Sequence, residues 1–336
     1  MFYSVIIPVY NARNYLAECI NSILRFKNDN FELIAINDGS TDDSLDILNS
    51  YNDSRLKIIN QENMGQYKSW KNAVKVAKGD YIIFVDSDDL IENNIFDISD
   101  TILNKNNVDL IQYRYQSLYP SKIEEYNFNI RTGLYLKDDL LNLHDNFNDF
   151  LNIPRERWAK AIRKNKLLYV IDHSFDYLDN FEDVAAIYVL LKNIDSLYIS
   201  NEIIYSWRKK KGGNKSNIKA SLDKNFKLIK ELNVFFNDNK NNLNLNQKDL
   251  DYLYLLTYKN YYYFYAYNGY YKDSKKIYKD KKFKYLLKHS KLDSTKGNKI
   301  INLIYKLSNF FLKHNMMHTY IFIRKLYIKN TNLFEN

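Results

Sequence analysis

The stretch YIIFVDSDDL, from Tyr81 to Leu90, runs five apolar residues directly into a polar segment with three carboxylates. An uninterrupted apolar run of this length is typical of a strand that a parallel sheet buries on both faces. Carboxylates repel one another when they are crowded, so Asp86, Asp88 and Asp89 either lie in water at a turn or surround a positive group. The stretch predicts a buried strand with polar chemistry at its carboxyl end.

Strands and helices alternate on both sides of this segment. The same apolar pattern predicts further strands at Tyr3–Val9, Phe31–Asn37 and Leu56–Ile59, and another that begins at Val108. Apolar residues at helical spacing fill the intervals between them. This alternation predicts an α/β protein with a Rossmann-like, mostly parallel sheet flanked by helices.

Small and polar residues mark the predicted helix ends. Asn11 can cap the first helix, and Ser40 or Thr41 can cap the second. Gly79 can end the third helix, since glycine readily adopts the backbone conformation that closes a helix.

The pattern changes twice farther along the chain. Residues 121–216 read as mixed helices and loops, with one helix at about Glu182–Lys192, whereas residues 217–336 read as helical, polar and rich in aromatic residues. The aromatic block at 261–271 is either helix core or an interface with lipid. We therefore divide the chain into a core at 1–120, a second part of the same domain at 121–216 and a helical C-terminal region at 217–336.

The composition is that of a globular protein without internal disulfides. A hydrophobic fraction of 46% is ample for a core, and the single cysteine, Cys19, fits a reducing compartment. The apolar run at Val5–Val9 is too short for a secretion leader, and no apolar stretch approaches the roughly 20 residues that span a bilayer. We therefore expect a cytoplasmic protein, either free or peripheral on the inner face of the cytoplasmic membrane.

Positive charge is concentrated in the C-terminal region. Residues 217–336 hold 23 Lys and Arg against nine Asp and Glu, so this region carries +14 and the preceding 216 residues carry −5. Such basicity suits anionic lipid, nucleic acid or a phosphorylated acceptor. The alternative is that the positive charge reflects a compositional bias, because the chain is rich in Asn, Lys, Ile and Tyr, which AT-rich coding sequence favours.

The carboxyl ends of the predicted strands meet at one edge of the sheet, where open α/β sheets bind ligands. Asp38 ends the second strand, and Asp86 to Asp89 follow the fourth. Neither G-x-G-x-x-G nor G-x-x-x-x-G-K-[ST] follows the first strand, which argues against Rossmann dehydrogenases and P-loop nucleotidases. Paired carboxylates at a turn suit Mg²⁺ or Mn²⁺ together with substrate phosphates, and the alternative is that they only cap the next helix.

Several motifs resemble the family-2 glycosyltransferases of the GT-A fold. They are SVIIPVYNARNYLAECINSIL, INDGSTDDS, QENMGQYKSWKNAVKVAKGDYIIFVDSDDLI, WAKAIRK, FEDVAAIYVLL and IIYSWR, in this order. The resemblance is dense over residues 3–97, thinner up to about Arg208, and stops near residue 216. It implies an inverting transfer of a sugar from a nucleoside-diphosphate donor, usually UDP-linked, to an acceptor hydroxyl, with Mn²⁺ or Mg²⁺ as cofactor.

The resemblance also implies roles for individual residues in donor binding. Pro8, Val9 and Tyr10 would line the base pocket, and Asp38 would accept a hydrogen bond from the uracil NH. Asp86 would bind the ribose, and Asp88 would ligate the metal with Asp86 as its partner in the DxD motif. The remaining residues of the predicted nucleotide-sugar site are Gly39, Lys71, Ser87 and Arg208. Lys71 stands where the family commonly has Arg, so the planar bidentate fork of that residue is lost.

Inverting transfer also needs a general base on the acceptor side. The family pattern implies Asp183, with Glu182 as second choice, and the alternative is that both acids only stabilise a helix N-terminus. Trp158 and Lys160 match a Trp-x-Lys motif that the family has on the acceptor side. Trp158 would then stack on a sugar ring, and the alternative is that it is a buried core residue. The basic segment that starts at Arg208 is either a lid over the diphosphate or a linker.

The resemblance places the activity in the synthesis of a capsule, O-antigen or lipo-oligosaccharide, on a glycan or lipid-linked acceptor. The basic region at 217–336 would contact the membrane surface or mediate self-association into a homo-oligomer. One rival is a nucleotidyltransferase on a related sheet, whose glycine-rich loop is missing here. The other is a catalytically inactive module that binds nucleotide, sugar or nucleic acid, although no nucleic-acid reader motif accompanies the basic charge.

Overall fold

The chain is described from a computed structural model. The described residues are 1–126, 130–140, 153–154, 156–172 and 182–209, and in the C-terminal part 240–241, 246–251, 254–255, Tyr258 and 277–289, except for the side chains of 172, 182–185 and 287–289. The chain forms two compact units, one made of Met1–Asp145 and Ile153–Asn214 and the other of Asn146–Asn152 and Lys215–Asn336.

The described part of the first unit alternates strands and helices over most of its length. In chain order the elements are β1 Tyr3–Val9, α1 Leu16–Leu24, β2 Phe31–Asp38, α2 Ser44–Asn49, β3 Leu56–Gln61, α3 Gln66–Val76, β4 Tyr81–Phe84, β5 Leu90–Ile91, α4 Ile95–Asn106, β6 Leu110–Leu118, β7 Ile123–Tyr126, β8 Gly133–Leu136, β9 Lys160–Arg163, α5 Lys164–Asp172, α6 Glu182–Asn193 and β10 Ser196–Arg208. The second unit contributes α7 at Lys281–His289.

All these strands join one sheet. Its order is β3-β2-β1-β4-β9-β6-β10-β5, with β7 paired to β6 and β8 paired to β10. Strands β3, β2, β1 and β4 are parallel to one another, and β6 is parallel to β10, whereas β9 lies antiparallel between β4 and β6. The predicted α/β class is therefore confirmed, with a sheet that is parallel in its first half and mixed beyond β4.

The region at 121–216 differs from the predicted mixture of helices and loops, because β7 to β10 lie there together with α5 and α6. Strand β10 runs for 13 residues, and its register against β6 shifts between Ile199 and Ile203 and again before Tyr205. Such bulges interrupt the alternation of buried and exposed residues by which a strand is recognised in a sequence. The helix predicted at Glu182–Lys192 is present as α6.

Residues of α1, β2 and α4 belong to one buried cluster with β1. Cys19 and Ile20 of α1 are fully buried, as their helical spacing predicts. Phe31 of β2 stacks on Phe96 of α4 with ring centroids 4.2 Å apart. A buried aromatic side chain removes about 150–250 Å² of surface from water, so the burial of each ring stabilises the folded state by several kcal/mol.

Two predicted helix caps differ from the structure. Asn11 does not cap α1, because it adopts a left-handed φ of 49° and its Oδ1 accepts from the Thr41 backbone N–H at 2.8 Å. Helix α2 begins at Ser44, whose backbone N–H donates to Asp42 at 3.0 Å, so neither Ser40 nor Thr41 caps it. Both differences have one cause, since the loops after β1 and β2 bond to each other rather than to their own helices.

Gly79 does not end α3, which stops at Val76. Instead, the Gly79 backbone N–H donates to Ser4 Oγ at 2.8 Å. A Cβ built on Gly79 would lie 2.4 Å from the backbone nitrogen of Ser4, a distance that no side chain tolerates. The glycine therefore lets the chain before β4 approach the start of β1 closely.

In the second unit, the described aromatic residues pack against α7. Phe283 is fully buried, and its ring centroid lies 5.4 Å from that of Tyr258, on which Tyr254 stacks at 4.3 Å. Tyr254 also donates its hydroxyl to Asp280 at 2.8 Å. The aromatic block at 261–271 lies outside the described residues, so its role stays a prediction. Within the described parts of the chain, no helix is both long and apolar enough to cross a membrane.

Candidate functional site

The sheet register brings the predicted donor-site residues to one edge. Val9 pairs with Asn37 in β2, and Ile6 pairs with Phe84 in β4, all in parallel. Asp38 and Asp86 follow these partners, so both lie at the carboxyl edge of the sheet. They lie on opposite sides of β1, two strand spacings or about 10 Å apart along the edge.

Asp38 holds the loop that leads into α3. Its side chain is buried, and it accepts from Gln61 Nε2 and the Met64 backbone N–H at 2.8 Å and from the Gly65 backbone N–H at 2.9 Å. These bonds fix both carboxylate oxygens towards β3 and the start of α3. The contact of Asp38 with a uracil ring stays a prediction. The structure shows in addition that Asp38 holds the loop between β3 and α3.

The other residues of the predicted base pocket differ in exposure. Pro8 and Val9 are buried in the sheet, whereas Tyr10 is 53% exposed. Lys71 is half-buried on α3. Gly39 has a left-handed φ of 67°, and a Cβ there would lie 2.7 Å from the Asn63 backbone nitrogen, which explains the glycine. Of Pro8, Val9 and Tyr10, only Tyr10, which directly follows β1, therefore offers an exposed side chain at this edge.

The crowded carboxylates after β4 form a tight turn, in which the Asp89 backbone N–H donates to the Asp86 carbonyl at 3.0 Å. The positive group beside them comes from the chain itself. Arg157 Nη2 lies 2.6 Å from Asp86 Oδ1, and the Arg157 side chain is only 4% exposed. Sequence reasoning missed Arg157, although it directly precedes the quoted WAKAIRK motif.

Arg208 holds the same turn from a second side. Its backbone N–H donates to Asp89 Oδ1 at 2.7 Å, its Nε donates to the Asp88 carbonyl at 2.8 Å, and its Nη2 donates to Glu18 at 2.7 Å. Arg208 is the last residue of β10, so it belongs to the sheet rather than to a mobile lid. The lysines and glycines at 210–213 lie outside the described residues, and the predicted lid stays a prediction for them.

Asp89 and Tyr205 form a buried pair beneath the turn. The Tyr205 hydroxyl donates to Asp89 Oδ2 at 2.7 Å and accepts from the Asp86 backbone N–H at 3.1 Å. Burial, together with the charge of Asp86, raises the pKa of Asp89 to about 8. Asp89 is therefore largely protonated at neutral pH. The sequence offered Tyr205 within IIYSWR, but nothing there pointed to its partner.

The predicted acceptor-side residues lie inside the first unit. Trp158 is 5% exposed and stacks on Tyr205, with centroids 4.7 Å apart and planes at 7°. The structure thus shows the buried alternative for this tryptophan. Lys160 is fully buried, and its Nζ donates to the Glu156 carbonyl at 2.5 Å. Trp207, 37% exposed and 5.8 Å from Trp158, is the tryptophan that reaches the surface here.

The position of the predicted base is described only at the level of the backbone. Helix α6 begins at Glu182, so Glu182 and Asp183 lie in its first turn. Their side chains are outside the described part of the structure, and the assignment of the base stays a prediction.

The donor set suits one hard divalent cation with help from a ligand. Among the described residues, no group of three or more His, Cys, Asp or Glu side chains is placed to hold a metal ion. Asp86, Ser87 and Asp88 are half-exposed oxygen-bearing residues of one turn, and Mg²⁺ or Mn²⁺ commonly takes one or two carboxylates with phosphate oxygens and waters.

Comparisons with known proteins give the family that part of the chain resembles and the fold. The sequence profile described as glycosyl transferase family 2 matches residues 4–149. Glycosyltransferase GlyG of Streptococcus pneumoniae is 42% identical over 97 residues, which is 28% of this chain and 32% of that protein. The poly(ribitol-phosphate) beta-glucosyltransferase of Bacillus spizizenii is 43% identical over 94 residues, 26% of this chain and 15% of that protein. The chain thus spans about a third or less of the length of these relatives.

Solved structures resemble the chain over nearly its whole length. S. aureus TarS 1–349 matches with a TM-score of 0.63 at 18% identity, covering 97% of this chain and 92% of that one. The same protein in complex with UDP-GlcNAc matches with a TM-score of 0.57 at 17% identity, covering 97% and 92%. At this identity the likeness supports the fold.

Proposed function

We propose that the protein is an inverting glycosyltransferase, on the premise that residues 4–149 match the profile of glycosyl transferase family 2. It moves a sugar from a nucleoside-diphosphate donor, UDP-linked in the first instance, to a hydroxyl of a glycan or lipid-linked acceptor of a cell-surface polymer such as capsule, O-antigen or lipo-oligosaccharide. The observation that supports the proposal is the shared carboxyl edge of the sheet, where Asp38 follows β2 and the turn at Asp86 to Asp89 follows β4, on the two sides of β1.

The donor would bind across this edge. Asp86, fixed by Arg157 at 2.6 Å, accepts from a ribose hydroxyl, and Tyr10 offers an exposed ring to the base. Asp88 would hold Mg²⁺ or Mn²⁺ with the diphosphate oxygens, and the ion, when bound, supplies Lewis-acid neutralisation of the leaving group. The GlcNAc derivative of UDP is the first donor to test, because UDP and UDP-GlcNAc complexes are known for the structurally similar TarS.

The transfer is a single displacement with inversion. The acceptor oxygen attacks the anomeric carbon, and the bond from that carbon to the diphosphate breaks with its electron pair on the departing oxygen. A carboxylate on the attack side takes the acceptor proton and contributes about 10²–10⁴-fold to the rate. We assign this role to Asp183, with Glu182 as second choice, in the first turn of α6.

We also propose that the basic region at 217–336 holds the enzyme at an anionic membrane surface, where its acceptors would be presented. Its net charge of +14 supports this, since each Lys or Arg near an anionic leaflet contributes about 1 kcal/mol. Self-association through this region is the competing outcome.

The activity is tested with UDP-sugars and the full chain. We expect UDP to bind more tightly with Mn²⁺ than without it, and UDP-GlcNAc or another UDP-sugar to be hydrolysed slowly without acceptor. Asp183→Asn should lower transfer at least about 100-fold and leave the Kd of UDP unchanged, because the base meets the acceptor and not the nucleotide. Glu182→Gln is the matched neighbour and should keep most turnover.

Two results would contradict parts of this assignment. Full turnover in Asp183→Asn would remove Asp183 as the base. UDP binding by the wild type without turnover of any UDP-sugar would favour the inactive binding module. Absence of UDP binding would rule out UDP-sugars as the donor.

A further inference from the structure

We propose that Asn11 is a positioning residue for the base of the donor: its side chain joins the loop after β1 to the loop after β2 and so fixes the spacing between Tyr10 and Asp38. This role rests on the proposed function, because Tyr10 and Asp38 are the two residues to which that function gives the nucleotide base. It explains why an asparagine follows the exposed tyrosine.

Asn11 binds the loop after β2 through both its side chain and its backbone. Its Oδ1 accepts from the Thr41 backbone N–H at 2.8 Å and from the Thr41 hydroxyl at 3.3 Å. Its own backbone N–H donates to Ser40 Oγ at 3.1 Å. One residue thus connects the ends of two neighbouring strands.

The backbone of Asn11 is adapted to this contact. Its φ of 49° is left-handed, a conformation that costs most L-residues energy and that asparagine tolerates better than they do. The chain therefore changes direction directly after Tyr10, the first residue beyond β1. Because Tyr10 lies between a buried strand and a residue that is bound to the next loop, the path of its backbone is set from both sides.

The loop that receives Asn11 is itself bound to the sheet. The Ser40 backbone N–H donates to Asn37 Oδ1 at 3.3 Å, and Asn37 Nδ2 donates to Asn60 Oδ1 on β3 at 2.7 Å. Asn37 is 2% exposed, so this anchor lies in the interior. The contacts of Asn11 therefore tie Tyr10 to a fixed point rather than to another free loop.

Tyr10 and Asp38 are next to each other in the sheet register. Val9 pairs with Asn37, so the two residues follow paired positions on strands about 4.8 Å apart. Among the described contacts, Asp38 Oδ2 accepts one hydrogen bond, from the Gly65 backbone N–H, and a carboxylate oxygen can accept about two. An exposed ring and a carboxylate with acceptor capacity at this spacing suit a planar base with a ring NH.

A residue that sets this spacing should affect recognition of the base and not of the phosphates. The ratio of two dissociation constants, that of ADP divided by that of UDP, isolates the base, because both nucleotides carry the same diphosphate. A general weakening of the site would raise both constants and leave their ratio unchanged.

The test uses the full chain with Asn11→Gly and calorimetric titration of UDP and ADP at saturating Mn²⁺. Glycine adopts a left-handed φ without strain, so this variant removes the side-chain contact and keeps the backbone conformation accessible. We expect the ratio to fall about fivefold or more, because the two base contacts are no longer held at a fixed spacing before the nucleotide binds.

Two matched variants control for charge and for loop contacts in general. Asn11→Asp keeps an Oδ acceptor and tolerates the left-handed φ, and its added charge acts on both nucleotides alike, so the ratio should match the wild type. Arg13→Ala removes a contact between the same two loops, the 3.7 Å ion pair with Asp43, whose side chains are 57% and 70% exposed. It should also leave the ratio unchanged.

A double-variant cycle separates positioning of Tyr10 from any other effect of Asn11. If Asn11 acts through Tyr10, Tyr10→Ala should lower the ratio by itself, and adding Asn11→Gly to it should lower the ratio little further. Additive losses would show that Asn11 does not act through this ring, and they would overturn the proposal.

Thermal unfolding of each variant reports the folded fraction. A wild-type ratio in folded Asn11→Gly, or an equal fall in Asn11→Asp or Arg13→Ala, would overturn the proposal. Should Asn11→Gly fail to fold, Ser40→Ala decides, since it removes the acceptor of the Asn11 N–H; a wild-type ratio there would overturn the proposal. A wild-type chain that binds UDP and ADP equally would overturn this role alone, whereas one that binds no UDP would overturn the proposed donor class.

Discussion

Asp89 lies under the turn, and both of its carboxyl oxygens accept hydrogen bonds, one from the Tyr205 hydroxyl and one from the Arg208 backbone N–H. Burial, and then the charge of Asp86, raises its pKa to about 8, against an ordinary value near 3.9. The folded protein therefore holds this proton more tightly than the unfolded chain does between about pH 4 and pH 8. The stabilisation that the neutral acid provides is complete below about pH 4 and is lost as the pH rises through about 8.

Asp89→Asn should flatten this pH dependence, because the amide is neutral at every pH and similar in shape to the protonated acid. We expect the wild type to lose about 1–4 kcal/mol more unfolding free energy than the variant between pH 5 and pH 8, measured by urea denaturation. Asp43→Asn, at an acid whose side chain is 70% exposed, is the control and should follow the wild type. Equal slopes for wild type and Asp89→Asn would show that Asp89 ionises normally.

Helix α4 begins shortly after this turn and is capped at its N-terminus by Asn94. Asn94 Oδ1 accepts from the backbone N–H groups of Phe96 and Asp97, at 3.2 and 3.4 Å. Such a cap satisfies donors that the first turn of a helix leaves without a partner. The Asn94 side chain therefore helps to fix the start of α4.

We expect Asn94→Ala to lower the unfolding free energy by about 0.5–2 kcal/mol, since alanine cannot accept from the first turn. Asn94→Ser keeps an acceptor at this position and should recover most of the loss. Urea denaturation at one pH measures both variants. A loss in Asn94→Ser as large as that in Asn94→Ala would show that the other contacts of Asn94, with Asn28 and Asp97, matter more than the cap.

At the scale of the whole molecule, charge is distributed unevenly along the chain, with −5 in residues 1–216 and +14 in residues 217–336. Opposite net charges in two parts of a chain direct each part to different partners. Under the proposed function, an anionic surface would attract the C-terminal part, whereas the acids of the first part would hold a cation that in turn binds the diphosphate. The proposed membrane contact follows from this distribution.

We expect the full chain to co-sediment with vesicles that contain phosphatidylglycerol and to stay in solution with vesicles of phosphatidylcholine alone. Binding should fall when salt is raised from about 0.05 M to 0.5 M, because the Debye length shrinks to a few ångströms. Loss of binding to anionic vesicles at low salt would remove the membrane contact. Gel filtration at the same salt values would then test self-association.

The sequence by itself determined the elements that depend on local spacing. The first strands, the helices between them and the position of Asp86 to Asp89 at a strand end follow from apolar periodicity, and the family motifs follow from the same segments. Prediction weakened where periodicity was interrupted, as in β10, or where an element was only four residues long, as in β9. Caps such as Asn11 were misjudged because their loops bond to other loops.

Only the tertiary structure decided which residues meet at the site. Arg157 and Asp86 are 71 positions apart, and Tyr205 and Asp89 are 116 apart. No local pattern encodes such pairs, because they exist only once β9 has been inserted between β4 and β6 and β10 has been laid beside β6. The sequence placed the acids at a strand end, and long-range packing chose the cations and the hydroxyl that hold them.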